Sequence, residues 1–391
     1  MSADRSRRFR SDRRDAGDAT TRRWVLQSLG AVGAVGLAGC LSGGDPGDTA
    51  SPTGTGSPIP TGRHVDDREV QDATGRTVEL PDAVEDVVAV GPGMLGMVAY
   101  LDATDMVVGV EQTEHSWGKD IPYNMANPEL RERQAIGPHK GGDAELIADA
   151  DPDVVLATYF TAGAADDLQE KVERPVVVVK SESRPLHRFE AAYDDVRFVG
   201  QILGTSDRAD EVIEFFRSER ERLADLSAAV PDEERPSAYY AGRSDSGGAG
   251  ATSTQYPFAP FAFVDVDNVA DSVTGHADVS EEKLLTWDPE VIFVAGSNLD
   301  RVTEALSAGQ YSNLAAVEEG NVYALLPTRF YGNLYGNVIA DAYYVGTVLY
   351  PEAFSEVDPV EHTREIHRTL LGASVYDELS EAFTGFRQID L

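Results

Sequence analysis

The sequence predicts an α/β protein of two lobes, each a parallel sheet flanked by helices, joined by a long rigid helix. Three observations carry this. Short β-branched runs alternate with helical stretches on both sides of the chain's middle, the pattern of parallel strands with crossover helices. Residues 187–229, between the two sides, read as helical and are broken once, at Gly204. Finally, "ELIADADPDVVLA" at 145–157 aligns without gaps on "EKLLTWDPEVIFV" at 282–294. Both copies begin with Glu, place Asp-Pro at the same two positions and end in an apolar run. In each, the proline stops a helix and a buried strand follows.

Taken in order, residues 87–90 form the first strand and a helix opens near Gly93. Strands follow at 107–110, 154–157 and 176–179, the last two separated by a helical piece around 164–172. In the linking segment Val212, Phe216, Leu223 and Leu226 recur at helical spacing with charges between them, which buries one face. Pro231 and Pro236 bound it. Strands resume at 238–240, 291–294 and 322–325. The expected division is a first lobe at 66–186, a linking helical segment at 187–230 and a second lobe at 231–391. In two such Rossmann-like lobes the binding cleft lies between them, at loops leaving the carboxyl ends of strands.

The amino-terminal region reads as an address rather than as part of the fold. "TRRWVLQSLGAVGAVGLAGC" at 21–40 turns from basic to apolar. Its apolar run is shorter than the roughly 20 residues a membrane span needs. Its glycines would each cost about 1 kcal/mol in a core helix. A charged leader, a short apolar stretch and small residues before a cut site describe an export signal. Arg22-Arg23 resembles a twin-arginine signal, and "LAGC" resembles a lipobox in which Cys40 is acylated. Residues 1–40 are thus the expected signal. Residues 41–65, rich in Gly, Ser, Thr and Pro, are the expected disordered tether. The protein is expected on the outer face of the cell membrane, held by lipidated Cys40.

The chain has 33 Lys+Arg against 67 Asp+Glu, a net charge of −34. The first 40 residues hold eight Arg and four Asp, a net of +4, which leaves −38 for the rest. Only five lysines occur, at 119, 140, 171, 180 and 283. Such self-repulsion opposes a compact state in dilute buffer, whereas at molar salt the screening length falls to about 3 Å. The composition resembles that of salt-loving archaeal proteins. It excludes nucleic acid as a plausible partner. Cys40 is the only cysteine, so no intramolecular disulfide or thiolate metal cluster can form.

With the opening "DATGRTVELP", the "LDATDMVVGV" segment and the later "YGNLYGNVIADAYYVGTVLYPEAF", residues 66–391 resemble the substrate-binding lipoproteins of ABC transporters that carry ferric siderophores, haem and cobalamin. The resemblance implies a solute-binding component without catalytic residues, bound metal or cofactor. It also implies an expected monomer that delivers a metal chelate, a ferric siderophore first and cobalamin or haem as alternatives, to an ABC permease and through it to ATPase subunits. In the family a glutamate at an exposed helix start on each lobe docks into permease arginines; the matching positions are Glu145 and Glu282, with Glu281 an adjacent alternative. Each could instead simply complement a helix N-terminus.

Candidate ligand residues follow from the strand ends. The first lobe offers the loop at 91–94 with Met94, and Tyr159 and Phe160. The second offers Tyr240, Arg243, the glycine-rich loop at 242–256, and "TRFYGNLYGN" with Arg329, Phe330, Tyr331 and Tyr335. The arginines suit carboxylates or catecholates and the aromatics suit a chelate's faces. Tyr343 and Tyr344, inside a helical run, read as core. Arg184 and Arg188 read as solvated helix-end charges. His115, His139 and His276 stand isolated, so direct metal coordination is not expected. A competing enzyme reading rests on "GPGMLG" at 91–96, which fits G-x-G-x-x-G, with Glu111 twenty residues on. A strand, a glycine turn, a helix and a distal acid are the parts of a dinucleotide site, which would make the chain a nucleotide-dependent exported oxidoreductase. The short helix and stiff Pro92 weigh against it.

Overall fold

The computed structural model describes residues 65–66, 69–180, 186–187, 189–243 and 249–391. Arg22, Arg23, Cys40, nearly all of the tether, Arg184, Arg188 and residues 244–248 of the glycine-rich loop lie outside the described residues. The first described strands, β1 (Val65–Asp66), β2 (Glu69–Gln71) and β3 (Thr77–Glu79), form an antiparallel sheet. Its turn is organised by buried Asp72, whose carboxylate accepts from the Thr74 N–H at 2.9 Å and pairs with Arg76 at 3.1 Å.

The first large sheet holds β4 (Val87–Val90), β5 (Val107–Val110), β6 (Gln134–Ala135), β7 (Val154–Ala157) and β8 (Val176–Val178). All its pairings are parallel, in the order β6-β5-β4-β7-β8. The valine-rich central strands are buried on both faces, as a sheet covered by helices on each side requires. Those helices are α1 (Met94–Tyr100), α2 (Pro122–Ala126), α3 (Ala144–Asp149) and α4 (Ala162–Val172). The chain steps one way from β4 to β6 and the other way from β4 to β8. The point of reversal, between β4 and β7, is where such sheets bind ligands.

Two helices follow, α5 (Glu190–Leu203) and α6 (Ser206–Ala228). Gly204, in the left-handed region at φ 72°, ends the first, the common role of glycine after a helix. Helix α6 is 23 residues, about 34 Å long at 1.5 Å per residue. It buries Val212, Ile213, Phe216 and Leu223; Leu226 is half-buried.

The second large sheet is built from β9 (Ser237–Ala241), β11 (Asp267–Asn268), β13 (Val291–Val294), β14 (Val322–Ala324) and β15 (Arg387–Gln388). The order is β11-β9-β13-β14-β15, parallel except for the last strand. A separate hairpin pairs β10 (Ser253–Tyr256) with β12 (Gly275–Asp278). The helices of this half are α7 (Ala259–Phe263), α8 (Glu281–Trp287), α9 (Leu299–Leu306), α10 (Ala315–Glu318), α11 (Tyr335–Leu349), α12 (Pro359–Leu371) and α13 (Tyr376–Phe383). The reversal point here lies between β9 and β13.

The internal repeat is structural. Each copy is a short helix followed by a central strand, α3–β7 and α8–β13. The aligned Ile147 and Leu284 are both fully buried. The aligned Asp151 and Asp288 both adopt left-handed backbone, φ 51° and 43°, so the turn that ends each helix is made by the aspartate just before the proline. Asp tolerates this region better than most residues.

One hydrophobic core spans both lobes. It runs from Val87 and Leu156 of the first sheet through Val199 and Phe216 to Tyr240 and Phe293 of the second. Phe189 sits at its centre, edge-on to Phe216 at 5.2 Å, Tyr335 at 5.1 Å and Phe263 at 5.3 Å. Burial of each such ring contributes roughly 2–3 kcal/mol. The outer face of each sheet carries its own smaller core, around Val88 and Ile147 in one and Tyr239 and Ile292 in the other. Among the described residues, no helix is long and apolar enough to cross a membrane.

Candidate functional site between the lobes

The loops leaving β4, β5 and β7 in the first lobe face a tight hairpin, residues 328–334, that leaves the second lobe between β14 and α11. The hairpin is closed by Phe330 N–H to Gly332 O at 3.0 Å, Leu334 N–H to Thr328 O at 3.0 Å, and a bridge between Arg329 and Asn333. Its tip rests on the first lobe. Gly93 N–H donates to the Tyr331 carbonyl at 3.0 Å. A Cβ on Gly332, at φ 125°, would lie 2.5 Å from the Gly93 nitrogen, so only glycine permits this approach.

The Tyr331 side chain makes the second tie. Its hydroxyl donates to Glu111 Oε2 and accepts from the Lys140 N–H at 2.9 Å. Glu111 also accepts from Gly91 N–H at 3.2 Å and Gly141 N–H at 2.9 Å. Burial pushes the Glu111 carboxyl up, against these hydrogen bonds and the charge of His139. Nearby Glu114, held by Asn124 and Tyr123, is raised to about 7, chiefly by burial. Trp117 packs edge-on to Phe330 at 5.5 Å and to Tyr331 at 5.2 Å, and stays 44% exposed. Tyr159, after β7, is 59% exposed with left-handed backbone at φ 63° and lines a hollow with Thr74 and Lys180.

The second lobe contributes positive charge. Tyr240, at the end of β9, lies flat on Phe258 with ring centres 3.7 Å apart. Burial drives its hydroxyl up to about 12, while Arg243, Thr328 and Arg329 pull the other way. Arg243 follows β9 and Thr328 and Arg329 follow β14, so the carboxyl ends of these two strands carry two arginines and two hydroxyls that act on one another electrostatically. Arg243 is itself buried, its Nε donating to Gln255. Beneath them Asp341 is fully buried, accepting from Leu326 N–H at 3.0 Å. Its carboxyl is pushed well up by burial, against the Leu326 hydrogen bond. Convergent, partly desolvated guanidinium groups beside hydroxyl donors make an anion site.

The site residues expected from sequence divide into two groups. Tyr159 and Phe160 follow β7, Tyr240 and Arg243 stand at the end of β9, and Arg329, Phe330 and Tyr331 lie in the hairpin after β14. Met94 and Tyr335 make up the second group. All seven residues of α1 are buried, and Met94 has no exposed surface. Tyr335 is 6% exposed among Phe189 and Phe216. Both stand at the first residue of a helix whose opening turn is buried in the shared core, so their side chains serve packing. Tyr343 and Tyr344 are core, as expected. Sequence reasoning missed Trp117, Glu114 and Thr328. An isolated tryptophan in the polar stretch "HSWGKD" was the one available signal.

Glu145 and Glu282 are exposed in the first turns of α3 and α8. Among the described residues neither carboxylate forms an ion pair, whereas Glu281 accepts from Gln310 at 3.1 Å. Both helix starts lie at the carboxyl edges of their sheets, on the cleft side. The loop before α3 bonds Glu111 through Gly141. The strand before α8 pairs with β10, whose Ser253 carbonyl accepts from Gly242 at the end of β9.

The dinucleotide reading of "GPGMLG" fails on geometry. The space over Gly93 is filled by Tyr331 and Gly332, and the Glu111 carboxylate is occupied by two backbone amides and a tyrosine hydroxyl. Among the described residues, no group of three or more His, Cys, Asp or Glu side chains is placed to hold a metal ion.

A family model described as "Periplasmic binding protein" matches residues 87–328. The molybdate-binding protein MolA of Haemophilus influenzae is 27% identical over 315 residues, 75% of this chain and 87% of that protein. The solved structure of that protein bound to molybdate superposes with a TM-score of 0.62 at 23% identity, covering 79% of this chain and 99% of that one. A periplasmic solute-binding protein of Veillonella parvula gives 0.65 at 18% identity over 81% and 96%. A periplasmic haem-binding protein of Pseudomonas aeruginosa gives 0.52 at 20% over 69% and 94%. Likeness to the solved structures at these identities establishes the two-lobed α/β fold; the matched proteins are named for binding or transport rather than for catalysis.

Proposed function

Because the chain belongs to the periplasmic binding protein family, whose members serve ABC importers, we propose that it captures a small metal oxyanion of the molybdate class and hands it to a permease. The observation that carries this reading is that buried Arg243 and the hairpin Arg329 leave the carboxyl ends of β9 and β14 beside Tyr240 and Thr328. A dianion needs several charge-assisted donors in a partly desolvated site, and this cluster supplies them from one lobe. The hairpin seated on Gly93 brings the opposite lobe close, which suits a compact cargo. The molybdate-binding relative supports the same class.

A ferric siderophore is the second reading, favoured by a different feature. Trp117 presents a large exposed ring against the hairpin, and such faces stack on extended chelates. Cobalamin and haem follow it in the same transport role.

In this scheme binding and release involve no covalent step, and ATP is hydrolysed by separate subunits. Glu145 and Glu282 dock the two lobes onto basic pockets of the permease. Arg22-Arg23 directs export, Cys40 carries the lipid anchor at the outer membrane face, and residues 41–65 form the tether. The acidic, lysine-poor surface suits function in molar salt. The protein acts as a monomer, with lobes at 66–186 and 231–391 and a linking segment at 187–230.

The test is calorimetric titration of the domain from residue 66 in molar potassium chloride, with molybdate, tungstate, sulfate, a ferric catecholate, cobalamin and haem. Saturable binding of molybdate or tungstate supports the first reading. Binding of the ferric catecholate with none of the oxyanions sinks it and promotes the second.

A further inference from the structure

Each docking helix starts from a loop tied to the cleft, but the two ties differ in kind. In the second lobe the path stays within one lobe. Arg243 N–H donates to the Ser253 carbonyl at 3.2 Å, the Ser253 hydroxyl returns a bond to the Arg243 carbonyl at 2.6 Å, and Val279 N–H donates to the Thr252 carbonyl at 3.0 Å. Ser280 then caps α8, its side chain accepting from Lys283 N–H at 3.2 Å. The start of α8 is thus held wherever the first lobe stands.

The path to α3 crosses between lobes. Within its own lobe the loop at 137–143 is held by Gln112 N–H on the Gly137 carbonyl at 2.8 Å, Gly142 N–H on the Pro138 carbonyl at 3.0 Å and Gly141 N–H on Glu111, while Lys140 N–H on the Tyr331 hydroxyl ties its tip to the opposite lobe. Lys140 sits at φ 63°, a costly conformation for a long side chain that persists only where neighbours over-determine it. Two residues later Asp143 N–H donates to the Ile136 carbonyl at 2.7 Å, and the Asp143 carboxylate caps α3 by accepting from Glu145 and Leu146 N–H at 3.0 and 3.3 Å. Tyr331 belongs to the hairpin of the opposite lobe, so the strained tip at Lys140 keeps its partner only while the hairpin is seated.

We infer that Tyr331 is a positioning residue for the Glu145 helix: seating of the second-lobe hairpin orders the loop at 137–143 and with it the start of α3, whereas α8 is ordered regardless. Glu145 reports whether the lobes are engaged, and Glu282 does not. The inference rests on the docking role proposed for Glu145. Its consequence is that a partner gripping both glutamates meets a fully ordered surface only on the engaged protein, which gives the engaged form the higher affinity.

Hydrogen exchange of the domain from residue 66, read by mass spectrometry, tests it without the permease. Tyr331→Phe keeps the ring against Trp117 and removes only the hydroxyl. Exchange of peptides covering 137–149 is expected to quicken by about tenfold in the variant, with peptides covering 276–288 unchanged and the melting temperature retained. Sodium molybdate is the added probe. Tyr331→Phe with no change at 137–149, or with equal change at 276–288, overturns the inference. Should Tyr331→Phe lower the melting temperature, Glu111→Gln serves as the second variant with the same asymmetry expected; a symmetric or null result there overturns it as well. The docking reading falls separately, if Glu145→Ala combined with Glu282→Ala leaves uptake intact at equal expression.

Discussion

At the carboxyl edge of its first sheet the chain buries two carboxyl groups, Glu111 and Glu114, behind Trp117. At the matching edge of the second it places Arg243 and Arg329 just past β9 and β14, near Tyr240. The two lobes repeat a helix–strand unit down to the left-handed aspartate before the proline, yet they meet the cleft with opposite chemistry. The repeated unit sets where loops emerge, and the loops alone set what emerges. The second lobe is therefore the gripping half, and the first is the receiving half into which the hairpin locks.

This contrast is easiest to break on the gripping side. Arg243→Ala with Arg329→Ala is expected to weaken anion binding at least 100-fold, about 2.7 kcal/mol, measured by calorimetry, while Glu111→Gln weakens it less. Equal losses would dissolve the distinction between the halves. Gly332→Ala comes next. A side chain at φ 125° facing the Gly93 backbone should cost about 1–3 kcal/mol, seen as roughly tenfold weaker binding with a smaller change in melting temperature.

The receiving side has a pH signature. Burial raises folded Glu114 to about 7, above its ordinary unfolded value near 4.3, so the folded state holds its proton more tightly. The stability this contributes is present below about pH 4 and is lost as pH rises to about 7, up to roughly 3 kcal/mol. Thermal unfolding from pH 4.5 to 7.5 should show that decline, and Glu114→Gln should flatten it; an unchanged slope would remove Glu114 as its source. The smallest effect is spectroscopic. Trp117→Phe should abolish most of the ligand-induced change in tryptophan fluorescence and alter affinity by less than about threefold, since the other described tryptophan, Trp287, lies under Lys283 in α8.

Strands were legible because parallel strands covered on both faces read as unbroken valine runs, and 87–90, 107–110, 154–157 and 291–294 stand where the pattern put them. Gly204 marked the helix break for an equally local reason. The polar strands β10 and β12 and the closing strand β15 were not legible, because their pairing partners lie far along the chain and their side chains carry no periodic apolar signal. The same limit governed the site. Arginines and aromatics after strand ends follow from topology, whereas Met94 and Tyr335 are buried in the core. A residue at the first turn of a helix can face a cleft or a core, and only the packing of Phe189 and Phe216 decides which. Glu111 was noticed for the wrong reason, since the partner that occupies it, Tyr331, is 220 residues away.

The core that runs unbroken through both lobes has a consequence for how the chain can be divided. The lobes look separable on paper, yet a chain cut after Ala228 would leave Phe189 and Phe216 without Phe263 and Tyr335, baring an aromatic patch of the kind that drives aggregation. Neither half is then an independent folding unit. Expressed together, the halves should find each other and reconstitute one particle, joined by the surface a two-lobed outline hides.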